Sequence, residues 1–455
     1  MIPMTLAEVA AATGGVLDTT DGTPVVDAPL AFDSRRPSPG SLFACLTGAL
    51  VDGHDFAALA VEQGAVAALA QRPVHVPAVL VPDVLTAMSD LARAVHQRYD
   101  GVTIGITGSA GKTTTKDLLA HVLAAHAPTV ANRASFNNEI GFPVTVSSVR
   151  PDTRYLVLEM GARGKGHIQA LCDIARPGIS TVLNIGSAHV GEFGSREAIS
   201  DAKAEIVRAL PATGKAVLNA DDPLVAAMRR EHDGRILTFG TDEGADVRAT
   251  DITTDEGRPT FTLHHQGRTA AVQLTVYGRH NVTNALAAAT TALAADVPFD
   301  TVATALSEAR MATGGRMAVT TRTDGVTLIN DAFNASPESV LAALDALTEV
   351  GRGRRRIAVL GEMAELGDAS VQWHWRVADA AARAGLAHLL VVGSGEGADV
   401  LADAYTAATH TVPDRHTADT VSAAVRAILL PGDVVLVKGA HALGLDAVAD
   451  QLLTV

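Results

Sequence analysis

The segment Thr107–Thr115, TGSAGKTTT, has the residue types and spacing of a loop that binds nucleotide phosphates. Small residues let backbone N–H groups approach phosphate oxygens, and the N-terminus of a following helix adds positive potential. Lys112 can reach the β- and γ-phosphates, and the Thr113 hydroxyl can reach magnesium. The strict pattern needs Gly at position 106, where this chain has Ile106, so the match is to a variant, T-G-S-x-G-K-T. Nucleotide contacts are predicted for Thr107, Gly108, Ser109, Ala110, Gly111, Lys112, Thr113 and Thr114.

Two side chains beyond this loop are candidate metal ligands. Glu159 follows the predicted strand Tyr155–Leu158, and His189 follows the next strand along the chain. Because ligands bind at the carboxyl ends of parallel strands, a carboxylate at that edge suits the magnesium that bridges the β- and γ-phosphates. We therefore predict that Glu159 binds magnesium and that His189 serves a second metal ion. The alternatives are a Gly-rich loop without a ligand, a solvated glutamate and a structural histidine.

Three blocks of secondary structure would position these residues. The first, to about residue 98, mixes short strands and helices, and the third, from Arg316, repeats strand–helix units. In the second block, strands alternate with helices from Val102–Thr107 onward, and residues 245–277 alternate polar with apolar residues, which predicts an antiparallel appendage. This order predicts an α/β fold with parallel sheets. Further predicted strands are Thr181–Asn184, Ala216–Leu218, Ile357–Leu360, Leu389–Val392 and Val434–Val437, and the predicted domains are 1–98, 99–315 and 316–455.

The composition excludes several classes of protein. The 455 residues carry 36 Lys and Arg against 50 Asp and Glu, so the net charge of −14 argues against a surface that grips nucleic acid. Apolar residues make up 47% of the chain, but no run is long enough to span a membrane. Cys45 and Cys172 have no spacing typical of a zinc site or a disulfide framework. We expect a cytoplasmic monomer that acts on small molecules, without nucleic-acid partners or membrane insertion.

Motifs along essentially the whole chain resemble the Mur ligase family. The resemblance rests on Asp33–Arg35, Pro39–Phe43, Asp52–Phe56, the phosphate loop, Phe136–Pro143, Glu159–Ile168, Asn184–Ser195, Ala202–Ile206 and Gly278–Ala288. It implies a three-domain α/β architecture. The N-terminal domain would bind a UDP-linked substrate, a central P-loop ATPase-like parallel sheet would bind ATP, and a Rossmann-like C-terminal domain would bind the incoming amine.

The resemblance also implies a reaction. The motifs FNNEIG, EMG, NDAFNASPES and GEMAELG are similar to those of the family's D-alanyl-D-alanine-adding reaction in peptidoglycan precursor synthesis. ATP would phosphorylate the terminal carboxylate of UDP-N-acetylmuramoyl-tripeptide, and the amine of D-alanyl-D-alanine would attack the acyl phosphate. Because a carboxylate and a triphosphate repel each other, Lys112 and magnesium would have to neutralise the charge. ATP and Mg²⁺ are thus the implied cofactors.

Residue roles follow from the same resemblance. Lys203 matches the family's carbamylated lysine, which positions a second magnesium ion; without the resemblance it would read as a surface lysine. Catalytic roles are implied for Lys112, His189, Lys203 and Arg316, and metal ligation for Thr113, Glu159, His189 and Lys203. Contacts with ATP are implied for His280, Asn281, Asn284, Arg316 and Asp331. Substrate contacts are implied for Ser34, Arg35, Asn137, Asn138, Asn334, Lys438 and His441.

The chain departs from the family pattern in the third domain. Its D-A-F-N-A-S-P segment places Phe333 and Ser336 where the family has Tyr and Asn, and His441 stands where the family has Arg. These departures leave open a paralogue of specialised metabolism that joins a different acid and amine. A nucleotide-gated binding protein is a further alternative. Folate polyglutamation is disfavoured because a domain of the UDP-binding type precedes the phosphate loop. Lysine and diaminopimelate both stay open as the third residue of the tripeptide.

Overall fold

In the described residues, the fold consists of three larger β-sheets in successive parts of the chain, each covered by helices, and one two-stranded sheet in the first part. A computed structural model describes residues 1–19, 21–133, 136–187 and 190–454. We call the parts the N-terminal region (residues 1–97), the central region (102–308) and the C-terminal region (318–454). No helix in the described ranges combines the length and the apolar character that crossing a bilayer would require.

The N-terminal region contains a four-stranded sheet and a small antiparallel strand pair. Its strands are β1 Met4–Thr5, β2 Val16–Asp18, β3 Val25–Val26, β4 Leu42–Ala44, β5 Ala67–Ala70 and β6 Ala78–Leu80. Its helices are α1 Leu6–Thr13, α2 Ala57–Glu62 and α3 Val84–Gln97. The sheet order is β2-β6-β5-β4, with β4, β5 and β6 parallel. Every residue of β4 and β5 is buried, as expected for apolar parallel strands covered on both faces.

The central region contains a nine-stranded sheet of order β15-β14-β13-β12-β11-β10-β7-β9-β8. The strands are β7 Val102–Thr107, β8 Thr129–Ala131, β9 Tyr155–Glu159, β10 Ile179–Val182, β11 Lys215–Asn219, β12 Arg235–Gly240, β13 Val247–Asp255, β14 Arg258–His265 and β15 Arg268–Gln273. The helices are α4 Lys112–Ala124, α5 Gly141–Val146, α6 His167–Ile174, α7 Val190–Phe193, α8 Arg196–Arg208, α9 Pro223–Ala226, α10 Asn281–Ala294 and α11 Phe299–Glu308. All neighbouring strands from β8 to β13 are parallel, so their carboxyl ends lie along one edge.

One prediction for this region is confirmed and another needs correction. Strands β13, β14 and β15 pair in antiparallel fashion, as predicted, and they extend the central sheet because β13 also pairs with β12. Alternating polarity identifies half-buried strands but does not identify their hydrogen-bonding partners. The strand predicted at Thr181–Asn184 begins and ends two residues earlier, at Ile179–Val182. Asn184 has left the sheet, and its carbonyl accepts the Ser109 N–H at 3.1 Å.

The C-terminal region contains a six-stranded sheet of order β16-β17-β21-β18-β19-β20, parallel except for the β16–β17 pair. Its strands are β16 Ala318–Thr321, β17 Thr327–Asn330, β18 Arg356–Gly361, β19 His388–Val392, β20 Asp414–His416 and β21 Val434–Lys438. Its helices are α12 Pro337–Val350, α13 Ser370–Arg383, α14 Glu396–Thr409, α15 Ala418–Ile428 and α16 Leu445–Leu453. Helices on both faces of parallel strands confirm the predicted α/β class.

Candidate active site

The phosphate loop connects β7 to α4 at the carboxyl end of β7. Gly111 has φ +80°, and an added Cβ would lie 2.2 Å from Asn284 Oδ1, so both the backbone and the space require glycine. Lys112 Nζ donates to the Gly108 carbonyl at 2.8 Å, so the ammonium lies over the loop. Burial lowers the pKa of Lys112, while the Glu159 carboxylate opposes that shift. A phosphate would supply the negative charge that this lysine needs.

Asn184, which follows the neighbouring strand β10, holds the phosphate loop in place with its side-chain amide. Its Oδ1 accepts the Ala110 N–H at 2.9 Å, and its Nδ2 donates to the Ala110 carbonyl at 3.1 Å. The loop is therefore ordered by protein contacts before any ligand binds. The sequence prediction did not single out this residue, although its place just after a parallel strand was the available signal.

Glu159 is the last residue of β9 and is 1% exposed. Its Oε2 accepts the Thr113 hydroxyl at 2.8 Å, and its Oε1 accepts Asn137 Nδ2 at 2.7 Å. Asn132 Oδ1 accepts the Glu159 backbone N–H at 2.6 Å. Three predicted residues thus converge: the loop threonine, the strand-end carboxylate and an amide of the FNNEIG motif. Asn138, the second amide, accepts the Gly141 N–H at 3.0 Å and also lines the cleft described below.

Lys203 is on α8, is 4% exposed and lines the same cleft. It makes no hydrogen bond or ion pair with any residue that the structure describes. Burial lowers its pKa well below the usual value, and the charge of Lys112 lowers it further. His189, the other predicted metal and catalytic residue, lies outside the described residues. Within the described ranges, His, Cys, Asp and Glu side chains form no group of three that could bind a metal ion.

Three of the residues predicted to contact ATP, His280, Asn281 and Asn284, lie at the start of α10. Asn284 Nδ2 donates to Asn281 Oδ1 at 2.7 Å, and Asn281 Nδ2 donates to the Tyr277 carbonyl at 2.6 Å. Burial lowers the pKa of His280, although Asp331 opposes the shift. Because Asn284 also lies against Gly111, these residues are brought directly beside the phosphate loop.

Arg316 and Asp331 also line this cleft. Arg316 lies in the linker, residues 309–317, which joins the central region to the C-terminal region, and Asp331 lies in the C-terminal region. The Arg316 guanidinium lies 4.1 Å from the centroid of the Phe333 ring, and its buried Nε has no hydrogen-bond partner among the described residues. Burial lowers the pKa of Arg316, and the nearby carboxylates, Glu159 first, oppose that shift. Asp331 accepts the Met317 N–H at 3.0 Å and forms an ion pair with Lys438.

Two of the three residues that depart from the family pattern, Phe333 and His441, contact each other. The Phe333 and His441 rings lie 5.2 Å apart, and His441 Nδ1 is 3.2 Å from the Phe333 carbonyl oxygen. Lys438 is 2% exposed and also donates to the carbonyl of Asn334, which lines the cleft. Phe333 therefore lies between the exposed His441 and the half-buried Arg316, and the departures at positions 333 and 441 pack against each other.

One cleft of about 1490 Å³ contains most of these groups. Predicted residues that line it are Ser109, Ala110, Gly111, Lys112, Thr113, Thr114, Asn137, Asn138, Glu159, Lys203, His280, Asn281, Asn284, Arg316, Asp331, Asn334, Lys438 and His441. Thr107 does not line it, because its hydroxyl donates to the Met160 carbonyl. Ser34 and Arg35 also lie elsewhere, and Arg35 pairs with Asp33 at 2.7 Å. Glu338, Trp373 and Arg376 line the cleft but were missed from sequence.

Sequence profiles match three successive segments of the chain. The Mur ligase family catalytic domain matches residues 30–105, the Mur ligase middle domain matches 106–292, and the Mur ligase glutamate ligase domain matches 315–441. The UDP-N-acetylmuramoyl-tripeptide–D-alanyl-D-alanine ligase of Mycobacterium tuberculosis is 45% identical over 502 aligned positions, covering 100% of this chain and 98% of the relative. The Escherichia coli ligase of the same name is 32% identical, with 99% of both chains covered.

Solved structures agree with the sequence matches. A crystal structure of MurF from Acinetobacter baumannii aligns with a TM-score of 0.86 at 30% identity and covers 99% of both chains. MurF ligase from Thermotoga maritima, solved in complex with ADP, aligns with a TM-score of 0.78 at 28% identity, covering 94% of this chain and 97% of the other. The chain belongs to the Mur ligase family, which confirms the predicted resemblance and the three-part architecture.

Proposed function

We propose that this protein is the ATP-dependent ligase that joins D-alanyl-D-alanine to UDP-N-acetylmuramoyl-tripeptide in peptidoglycan precursor synthesis. The observation that carries the proposal is the single cleft in which Lys112 and Glu159 of the central region meet Arg316 and Asp331. Phosphoryl transfer from ATP and the amide formation that follows need charged groups from both sides of the cleft to meet around the same substrates. Identity of 45% to a ligase of this name across the whole chain supports the choice of substrates.

The reaction brings together two anions, the γ-phosphate of ATP and the terminal carboxylate of the UDP-linked peptide. Lys112 lies over the loop and Arg316 faces it from the linker, so the two cations can bind the charge that develops on the transferred phosphoryl group. The dipeptide's ammonium group loses one proton, and the resulting amine attacks the acyl phosphate carbonyl. The C–N bond forms, the C–O bond to phosphate breaks, and the nitrogen releases a second proton as phosphate leaves. Closure of the cleft excludes water that would hydrolyse this intermediate.

The donor set fits magnesium. The buried Glu159 carboxylate and the Thr113 hydroxyl are hard oxygen ligands 2.8 Å apart at the edge where the β- and γ-phosphates would lie. Magnesium bound there supplies Lewis-acid neutralisation of the phosphate charge. Lys203 fits a carbamate, because a buried amine without an anionic partner among the described residues favours the neutral form, which adds to carbon dioxide with loss of one proton. The Lys203 carbamate and His189 would together hold a second magnesium ion.

The remaining parts of the proposal concern the domains and the setting. Residues 1–98 would bind the UDP portion with Ser34 and Arg35, residues 99–315 would bind ATP, and residues 316–455 would bind the amine with Asn334, Lys438 and His441. Ser34 and Arg35 lie outside the cleft, as expected if the uridine end of a long substrate binds away from the reacting carboxylate. The protein would act as a monomer in the cytoplasm.

A phosphate-release panel tests the function. The full-length protein is given ATP and magnesium with UDP-N-acetylmuramoyl-tripeptides that end in lysine or diaminopimelate, and with D-alanyl-D-alanine or other dipeptides and amino acids. We expect little release with ATP alone and rapid release with a tripeptide and D-alanyl-D-alanine together. Rapid release only with another amine would instead support a paralogue of specialised metabolism that joins a different acid and amine. The departures from the family pattern at Phe333 and His441 are the observation that favours this alternative.

A further inference from the structure

Glu338 connects the two sides of the cleft. It lies in the first turn of α12, in the C-terminal region, and lines the cleft. Its Oε1 accepts the backbone N–H of Ser187 at 2.8 Å and also the Ser187 hydroxyl. Ser187 follows β10 in the central region. Two hydrogen bonds to one oxygen orient the carboxylate, which leaves its other oxygen in a defined place.

The other oxygen, Glu338 Oε2, is buried and has no hydrogen-bond partner among the described residues. A buried polar atom without a partner is destabilising, and the effect is larger when the group is charged. The backbone of Gly186 lies close to this carboxylate, and a Cβ added at Gly186 would lie 3.0 Å from Glu338 Cδ. Glu338 Oε2 therefore needs a hydrogen-bond donor, which a ligand with N–H groups would provide.

Helix α13 contributes a positive charge to the same cleft through Arg376. Arg376 lines the cleft, and its guanidinium stacks 4.8 Å from the centroid of the Trp373 ring. Ser339 and Ala342, on the α12 face that carries Glu338, also line the cleft. The cleft therefore contains a carboxylate and a guanidinium on two helices that pack against each other, and a zwitterionic ligand would complement these two charges.

The lysine or diaminopimelate side chain of the tripeptide also carries an ammonium group, but among the groups that react, only the amine of the dipeptide can be a cation. ATP and the UDP-linked peptide bring anions to the reaction centre, whereas a dipeptide has an α-ammonium with a pKa of about 7.7–8.0 and a carboxylate. An ammonium group offers three donors and a positive charge. We propose that Glu338 Oε2 binds the ammonium group of the incoming dipeptide and is thus a specificity residue for the amine substrate. This inference rests on the proposed function.

The test uses the full-length Glu338→Gln variant, which keeps the size of the side chain and an oxygen for Ser187 but removes the charge. We expect KM for D-alanyl-D-alanine to rise at least tenfold, while KM for ATP and for the UDP-linked tripeptide stays within twofold. Acyl phosphate formation is measured separately by trapping with hydroxylamine, a nucleophile that is largely uncharged at pH 8. The rate of hydroxamate formation should stay within twofold of the parent protein.

Glu349→Gln is the matched control. Glu349 is on the same helix and also has a buried Oε2 that lacks a hydrogen-bond partner in the part of the chain that the structure describes, but it does not line the cleft. All three KM values should stay unchanged in this variant. Should Glu338→Gln fail to fold, Ser187→Ala removes one of the two hydrogen bonds that orient the carboxylate. It should raise KM for the dipeptide about threefold, again without slowing hydroxamate formation.

Two results would overturn the inference. One is an unchanged KM for the dipeptide in a folded Glu338→Gln variant, or in Ser187→Ala if that variant replaces it. The other is a parallel loss of hydroxamate formation and dipeptide ligation, which would assign Glu338 to phosphoryl transfer or to the contact between regions. If the parent protein forms no hydroxamate from ATP and the tripeptide, the proposed function itself fails. An active parent with the first result rejects only the role of Glu338.

Discussion

The Lys112 ammonium lies over the phosphate loop before any nucleotide is present. The Glu159 carboxylate only partly offsets the effect of burial on the pKa of Lys112. Lys112→Ala should therefore leave the fold intact and lower kcat by a factor of about 100–1000, equivalent to about 2.7–4 kcal/mol for a lost transition-state contact. Steady-state kinetics with saturating substrates, together with the thermal midpoint, measure both effects. Lys215→Ala is the control, because Lys215 begins β11 and forms an ion pair with Asp296 away from the cleft. A kcat within threefold of the parent would contradict the phosphate-loop assignment.

Lys203 is the second residue whose environment predicts its chemistry. Its amine is buried without an anionic partner among the described residues, so we expect it to be carbamylated in the active enzyme. Lys203→Ala should lose most activity, and formate or acetate should restore part of it by supplying carboxylate oxygens. The exposed Lys165, which pairs with Asp201 at the surface, is the control: Lys165→Ala should keep its activity and gain nothing from acetate. An unmodified lysine in crystals with ATP and magnesium, combined with full activity in carbon-dioxide-free buffer, would refute the prediction.

At the scale of elements, the turn from β7 into α4 depends on Gly111. Gly111→Ala meets two costs: a backbone at φ +80°, worth about 1–3 kcal/mol, and a Cβ placed 2.2 Å from Asn284 Oδ1. Because Asn284 belongs to the predicted ATP site, we expect KM for ATP to rise at least tenfold. Gly353→Ala separates the two costs, since Gly353 has φ +72° and open space around its Cβ position. Denaturant unfolding should show a loss of stability in both variants. Equal KM values for ATP in both would show that the loop tolerates the displacement.

At the scale of the whole molecule, two glycines let the central and C-terminal regions approach. Gly191 N donates to the Glu365 carbonyl at 3.3 Å, and a Cβ on Gly191 would lie 2.6 Å from Gly367 N. Gly191→Ala should push the regions apart and lower kcat at least tenfold, because catalytic groups from both regions must meet. Its backbone φ is not positive, so the free energy of unfolding should change by less than about 1 kcal/mol.

Small-angle scattering and kinetics test the effect of Gly191→Ala together. The radius of gyration in the presence of ATP should be larger than that of the parent. Gly244→Ala is the control, since the nearest atom to its added Cβ lies 3.4 Å away in a surface turn. Unchanged kcat and unchanged scattering in Gly191→Ala would mean that the regions adjust to the methyl group without loss of geometry.

The linker shows why such contacts are hard to predict. Asp117, on the helix that follows the phosphate loop, forms a buried ion pair with Lys116 and accepts the Thr313 N–H at 3.0 Å. Thr313 lies three residues before Arg316 in the chain. The contact ties the linker that carries this arginine to α4, yet the two partners are 196 residues apart in sequence. No local pattern pairs them.

The family, the α/β class and the chemistry of the phosphate loop could all be predicted from the sequence, because each depends on residue types at short spacing. Most predicted site residues line one cleft, although their roles stay predictions. Only the tertiary structure placed Glu338 against Ser187, 151 residues away, and brought Phe333 between Arg316 and His441. The physical reason is that local spacing specifies strands, turns and caps, whereas contacts between regions depend on how whole sheets pack. The specificity of an enzyme whose cleft lies between two regions depends on those contacts.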